Sequence, residues 1–161
     1  MTLLATHGSN TKIAKSQRGT KYRIASLSLM PDPIICAGSK MANCFDLCLK
    51  NAGRGVMKNV AAGRQSKSDW WHNDRESFLS TLKKEMRNFR RTCHKAGMAP
   101  AFRLNTISDI SWRHHLDIAG EFGDCFFYDY TKIAARLRDP LPNYKIMFSY
   151  SKAEAYRRQV A

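Results

Sequence analysis

Apolar positions recur along this chain with two different periods, and the alternation between them predicts its elements. In TKYRIASLSLM (residues 20–30), Ala25, Leu27 and Leu29 alternate with other residues, and the run stops at PDP. A period of two belongs to a strand, and prolines flanking an aspartate end it. Three later runs, AFRLNT (101–106), CFFYDY (125–130) and YKIMFSY (144–150), are short and rich in β-formers, which predicts four strands in all. Between them the spacing turns helical. MANCFDLCLKNAG (41–53) has helical spacing and a terminal Gly suited to a C-cap. Residues 111–119, 132–138 and those from Lys152 onward also read as helices. The clearest helix follows Asn73, its expected cap, with Phe78, Leu82, Met86 and Phe89 on one face and Lys83, Lys84, Arg87, Arg90 and Arg91 largely on the others.

Strands that alternate with helices imply a parallel sheet with right-handed crossovers. The expected fold is therefore α/β: a partial (β/α) barrel or an open parallel sheet, with a long basic amphipathic helix. No internal repeat and no Ser-, Gly- or Pro-rich linker divides the 161 residues, so 1–161 reads as a single α/β domain.

Charge changes the picture more than composition does. Against 27 Lys and Arg stand 13 Asp and Glu, a net charge of +14. Residues 1–100 carry 18 basic and 6 acidic side chains, and residues 101–161 carry 9 and 7. A surplus of that size points to a polyanionic partner. The expected partner is nucleic acid, DNA first, held through its phosphates by Arg54, Lys58, Arg64 and Lys67 of a basic loop (residues 53–67) and by Lys83, Lys84, Arg87, Arg90 and Arg91 of the long helix. Trp70 and Trp71 lie between these groups in sequence and would offer rings to unstacked bases, or else pack into the core at the helix start.

No apolar run is long enough for a membrane span, and the N-terminus lacks the layout of a secretory signal. The expectation is a protein of the host cytoplasm, with no membrane partner. Five Cys, an odd count, argue against a disulfide framework in a reducing compartment. GxSxG, HExxH, P-loop and GxGxxG motifs are absent, which removes motif-supported hydrolase, metalloprotease, nucleotide triphosphatase and dinucleotide readings.

In parallel α/β folds, binding groups gather beyond the carboxyl ends of the strands. Here those positions hold Cys36, Cys44 and Cys48, then Asn105, Ser108 and Asp109, then Asp129, Thr131 and Lys132, then Ser149 and Ser151. Asn105, Asp109, Asp129 and Lys132 are the candidate catalytic set. The competing reading makes each a helix cap. Cys44 and Cys48, one helical turn apart, could join Cys36 in holding zinc or an iron–sulfur cluster; the competing reading is buried structural thiols. Cys93 and Cys125 read as core. His114 and His115, adjacent on an expected helix, would point in different directions, so at most one faces a site.

The pieces KYRIASLSLMPDPIICAGSKMANCFDLCLKNAGRG, FRLNTISDISW and FFYDYTK together span most of residues 20–150. They resemble a family of bacteriophage proteins of unassigned function, similar to those named for gene product 88 of mycobacterial phages. The R-L-N-x-x-S-D run followed by Y-T-K is the more specific pair. The resemblance implies a phage-encoded protein whose relatives continue with further strands, including an Asp-Gly-Asp element, so this chain is expected to be a shortened member. By layout only, a three-Cys loop after the first strand is also similar to radical S-adenosylmethionine enzymes, although the spacing differs. Three functions follow as expectations: a nucleic-acid-binding protein; a Cys-ligated metalloenzyme in which Asn105, Asp109 and Asp129 handle substrate; or an inhibitor of a host defence nucleoprotein complex.

Overall fold

The structure, a computed structural model, describes residues 1–6, 11–45, 48–151 and 153–154. Five strands form one sheet in chain order: β1 (Leu4–Ala5), β2 (Tyr22–Leu27), β3 (Ala99–Arg103), β4 (Phe126–Thr131) and β5 (Tyr144–Phe148). Strands β2 to β5 run parallel, and only β1 is antiparallel to its neighbour β2. The sheet is open, so of the two expected architectures the open sheet is observed. Among the described residues three α-helices accompany it: α1 (Thr11–Ser16), α2 (Lys58–Asn73) and α3 (Arg75–Lys95).

All four expected strands are present, with every end except the start of β5 shifted by one to a few residues. β1 was not legible in the sequence, and its reason is tertiary. The Glu85 carboxylate on α3 accepts the backbone N–H of Leu3 (2.9 Å) and of Leu4 (2.8 Å), while Lys67 Nζ donates to the Leu3 carbonyl at 2.7 Å. Two side chains from the helical layer thus hold a segment that its own two residues could not define.

The helical expectations need more correction. The expected helix over residues 41–53 is absent; turns, two short 3-10 segments (Leu49–Asn51 and Gly53–Val56) and left-handed backbone at Asn43 (φ 47°) stand there, with Asp46 and Leu47 outside the described residues. Packing overrides local periodicity here. Gly38 lies so close to the end of β4 that a Cβ would stand 2.7 Å from Lys132 Cβ, and Asp109 N–H donates to the Ile35 carbonyl at 2.9 Å. The segment expected to be a basic loop is mostly helix α2, which has no strong apolar stripe to announce it. Asp74, not Asn73, caps α3, accepting from Ser77 N–H at 3.0 Å. Residues 111–119 and 132–138 hold only single 3-10 segments, Trp112–His114 and Ala134–Leu137. The helix expected from Lys152 onward falls largely outside the described residues.

The main core lies between α3 and one face of the sheet. Phe78, Leu82, Met86 and Cys93 are fully buried, against Ala25, Leu27, Phe102, Leu104 and Phe127. Cys93 and Cys125 are buried, as their sequence context suggests. The opposite face has a much smaller buried cluster, Ile13, Ile24 and Ala101, bordered by Ala5, Tyr22 and Tyr128. Among the described residues no helix is long and apolar enough to cross a membrane.

Candidate functional site

The strand-end residues do come together, as an internal latch. Asn105 is its hub. Its backbone N–H donates to Asp129 Oδ1 (2.8 Å), and its Nδ2 donates to the Ile110 carbonyl (2.9 Å). Its Oδ1 accepts from Ser108 Oγ (3.0 Å), Ile110 N–H (2.9 Å) and Trp112 Nε1 (3.1 Å). The Tyr144 hydroxyl donates to Asp129 Oδ2 at 2.8 Å, joining β5 to β4. Asp129 lies within β4, facing the core. Burial raises its pKa to about 7, against the lowering effect of the hydrogen bonds from Asn105 and Tyr144. Asp109 accepts Lys132 N–H at 2.8 Å and pairs with Arg136, while Lys132 Nζ donates to the Ser149 carbonyl at 2.7 Å.

The cavity among these groups is about 10 Å³, the threshold for a single water. The R-L-N-x-x-S-D and Y-T-K residues therefore have a sufficient structural account. They weld the loop after β3 to β4 and β5, with Asn105, Asp109 and Asp129 buried and hydrogen-bonded. That is the duty expected of buried polar groups.

Cys36, Cys44 and Cys48 are half-buried free thiols near one another on the loop that packs over this rim. Burial pushes the Cys36 thiol up to about 12, with Asp109, Cys44 and Cys48 adding to the rise. Burial also raises Cys44, partly opposed by Lys132. Cys44 and Cys48 do not share a helix face, because the expected helix is absent. Among the described residues no group of three or more His, Cys, Asp or Glu is placed to hold a metal ion.

The expected phosphate-binding set divides in two. Arg87 Nε pairs with Glu121 Oε1 at 2.6 Å, and Arg90 Nη1 donates to the Glu121 carbonyl at 2.7 Å, so both dock the loop before β4 onto α3. Lys67 holds β1, and burial lowers its pKa against the pull of Glu85. Arg64 is half-buried, with Nη1 unpartnered among the described residues. Arg54, Lys58, Lys84 and Arg91 are exposed, and Lys83 is half-buried. Trp71 is buried edge-on to Phe78 and Trp112, with Arg75 over its face at 4.5 Å, so it cannot offer a ring to a base; Trp70 packs edge-on to Phe78. His115 also packs edge-on to Trp71, and the pair His114–His115 lies at the end of a 3-10 turn rather than on a helix.

Sequence reasoning missed the sheet face opposite α3. Alternation places Ser26, Arg103, Phe126, Tyr128, Tyr130 and Lys145 on that side, out of phase with the core-facing Leu27, Phe102, Phe127 and Tyr144. The signal was present in FFYDYT, where every second residue is aromatic. We find Phe126 stacked on Tyr128 (6.3 Å between centroids, 20° between planes) and Arg103 over Tyr130 at 5.2 Å.

No curated protein and no solved structure matches the chain. One family model does, over residues 2–160, which takes in the first strand, the three-Cys loop, the Asn105 latch and the aromatic strand. The chain belongs to the Gene product 88 family.

Proposed function

We propose that the protein binds nucleic acid through phosphate contacts along the outward side of α3. One observation carries the reading: Lys84, Asn88, Arg91 and Lys95 recur at i, i+4, i+7 and i+11, all exposed, on the side of the helix away from its buried residues. That stripe contains no acid. Arg91 Nη2 is held by Asn88 Oδ1 at 2.6 Å, which aims its guanidinium along the row. At about 1.5 Å per residue the stripe is about 16 Å long, and it can face several phosphates spaced at about 3.4 Å of helix axis per strand. Pairing within the chain leaves the charge in place, because 27 cationic side chains outnumber 13 acids.

The test is binding of a labelled oligonucleotide across a salt series. Affinity should fall steeply with ionic strength. The triple variant Lys84→Glu, Arg91→Glu, Lys95→Glu should bind more than tenfold more weakly, with a log–log salt slope shallower by about 3. No binding at low salt, a flat salt response, or a triple variant that binds like the parent overturns the reading.

A second reading, a Cys-ligated iron–sulfur centre, has one observation in its favour: Cys36, Cys44 and Cys48 gather on the rim loop, close enough to influence one another. In a cluster the thiolates ligate separate irons, so they need not converge on one point as ligands of a single ion do. Iron and sulfide assays on protein purified without oxygen test it. Stoichiometric iron lost in Cys36→Ser, Cys44→Ser and Cys48→Ser, but kept in Cys93→Ser, supports the centre; iron-free parent protein rejects it.

A further inference from the structure

We propose that the sheet face opposite α3 is a binding site for a free mononucleotide, separate from the phosphate-binding stripe. A parallel sheet is ordinarily covered on both faces, yet here Phe126 is 36% and Tyr130 43% exposed on β4, an interior strand. Exposed rings on an interior strand present flat apolar surfaces on which a base can stack, as aromatic side chains do in single-strand-binding proteins.

The polar groups on the same face specify the rest of the ligand. Ser26 and Arg103 are register partners on β2 and β3. Ser26 is 3% exposed, and its Oγ has no hydrogen-bond partner among the described residues; neither has Arg103 Nε. Buried polar atoms are nearly always paired, and an unpaired hydroxyl and an unpaired guanidinium N–H on register-partner residues call for an acceptor on this face. Arg103 is cationic, and Lys145, the register partner of Tyr128, adds a second positive charge on this face. The β2 to β5 residues that face this way include no acid. The acceptor that fits is an anion, and a guanidinium suits the planar two-oxygen edge of a phosphate. Because Arg103 also lies over the Tyr130 ring at 5.2 Å, the phosphate-binding group and the base-stacking ring adjoin. None of these residues lies on α3.

Calorimetric titration of the full chain with adenosine monophosphate, adenosine and inorganic phosphate tests the proposal. The monophosphate should bind with a dissociation constant of about 1 mM or tighter, and at least tenfold better than either adenosine or phosphate alone. Arg103→Met should weaken it at least tenfold. Tyr130→Ala, at an exposed position that leaves folding intact, should weaken it at least fivefold, and Tyr130→Phe should not. The triple variant of the α3 stripe should bind the monophosphate as the parent does. The proposal is overturned if the monophosphate does not bind at about 1 mM, if Tyr130→Ala binds it like the parent, if phosphate alone binds equally well, or if the triple variant loses it. The last result would locate the nucleotide on α3; conversely, a stripe that fails to bind oligonucleotide leaves this site standing.

Discussion

The two faces of the sheet are built on opposite terms. Against α3, Phe78, Leu82 and Met86 meet Leu27, Phe102 and Phe127 with every one of these side chains buried. On the other side the buried cluster, among the described residues, is the smaller Ile13, Ile24 and Ala101, and beyond it the rings of Phe126 and Tyr130 reach solvent. Because the side-chain period of a strand is two, the same strands serve both faces, and neighbouring residues in one strand have unrelated duties. Asp129 and Tyr130 illustrate this: the first is locked into the latch, and the second stands in the open. Stability is concentrated on one face, so substitutions on the other should cost less.

Substitutions can break this contrast or sharpen it. The largest effect is expected at Phe78, which packs against both Trp70 and Trp71. Phe78→Ala should cost about 3–5 kcal/mol in denaturant unfolding, whereas Tyr130→Ala should cost less than about 1 kcal/mol. Equal costs would end the contrast.

Asp129 comes next, and its effect depends on pH. Its folded-state pKa, about 7, lies above its ordinary 3.8. The folded form therefore holds a proton that the unfolded chain releases, and this contribution is complete below about pH 4, declines as pH rises toward 7, and is flat above. Asp129→Asn should remove that decline from a series of unfolding curves; an unchanged slope would mean that the latch does not protonate.

Asn105→Ala should be somewhat less costly, about 2–3 kcal/mol, because it strands the Trp112 indole N–H and the Ile110 N–H that its oxygen accepts. The indole environment provides the measurement, through a shift in Trp emission accompanying the fall in the unfolding midpoint. The smallest effect belongs to the surface. Glu121→Gln removes the charge that faces Arg87, whose side chain is 55% exposed, and should change stability by no more than about 1 kcal/mol, less at high salt. A larger loss would mean that the helical layer depends on its ion pairs as well as its core.

Much of the fold was legible where a local pattern and a tertiary requirement agree. Phe78, Leu82, Met86 and Phe89 mark α3 because the stripe that makes a helix amphipathic is also the one that the sheet buries. The loop of residues 41–53 misled because its spacing suits a helix, while Asn43 adopts left-handed backbone and the Ala42 carbonyl is taken by the Ser151 hydroxyl. Asn105, Asp109 and Asp129 lie near one another, but sequence cannot separate a polar group poised for a ligand from one already satisfied by Trp112, Arg136 or Tyr144. Arg103 and Ser26 went unnoticed because their interest lies in what they lack, and a missing partner is visible only when the surroundings are in place.

The order of the strands also bears on how the chain reaches this shape. Each of β3, β4 and β5 joins the edge left by the strand before it, so the sheet can lengthen in the direction of synthesis without reopening any pairing. The demanding event is the first parallel one, between β2 and β3, because the chain from Leu27 to Ala99 must be gathered before a single rung forms. Helix α3 sits late in that stretch and rests on β3, so its formation would carry the following strand to its partner. Folding rate should therefore respond more to helix-favouring changes in α3 than to changes in β5, which joins an edge already made.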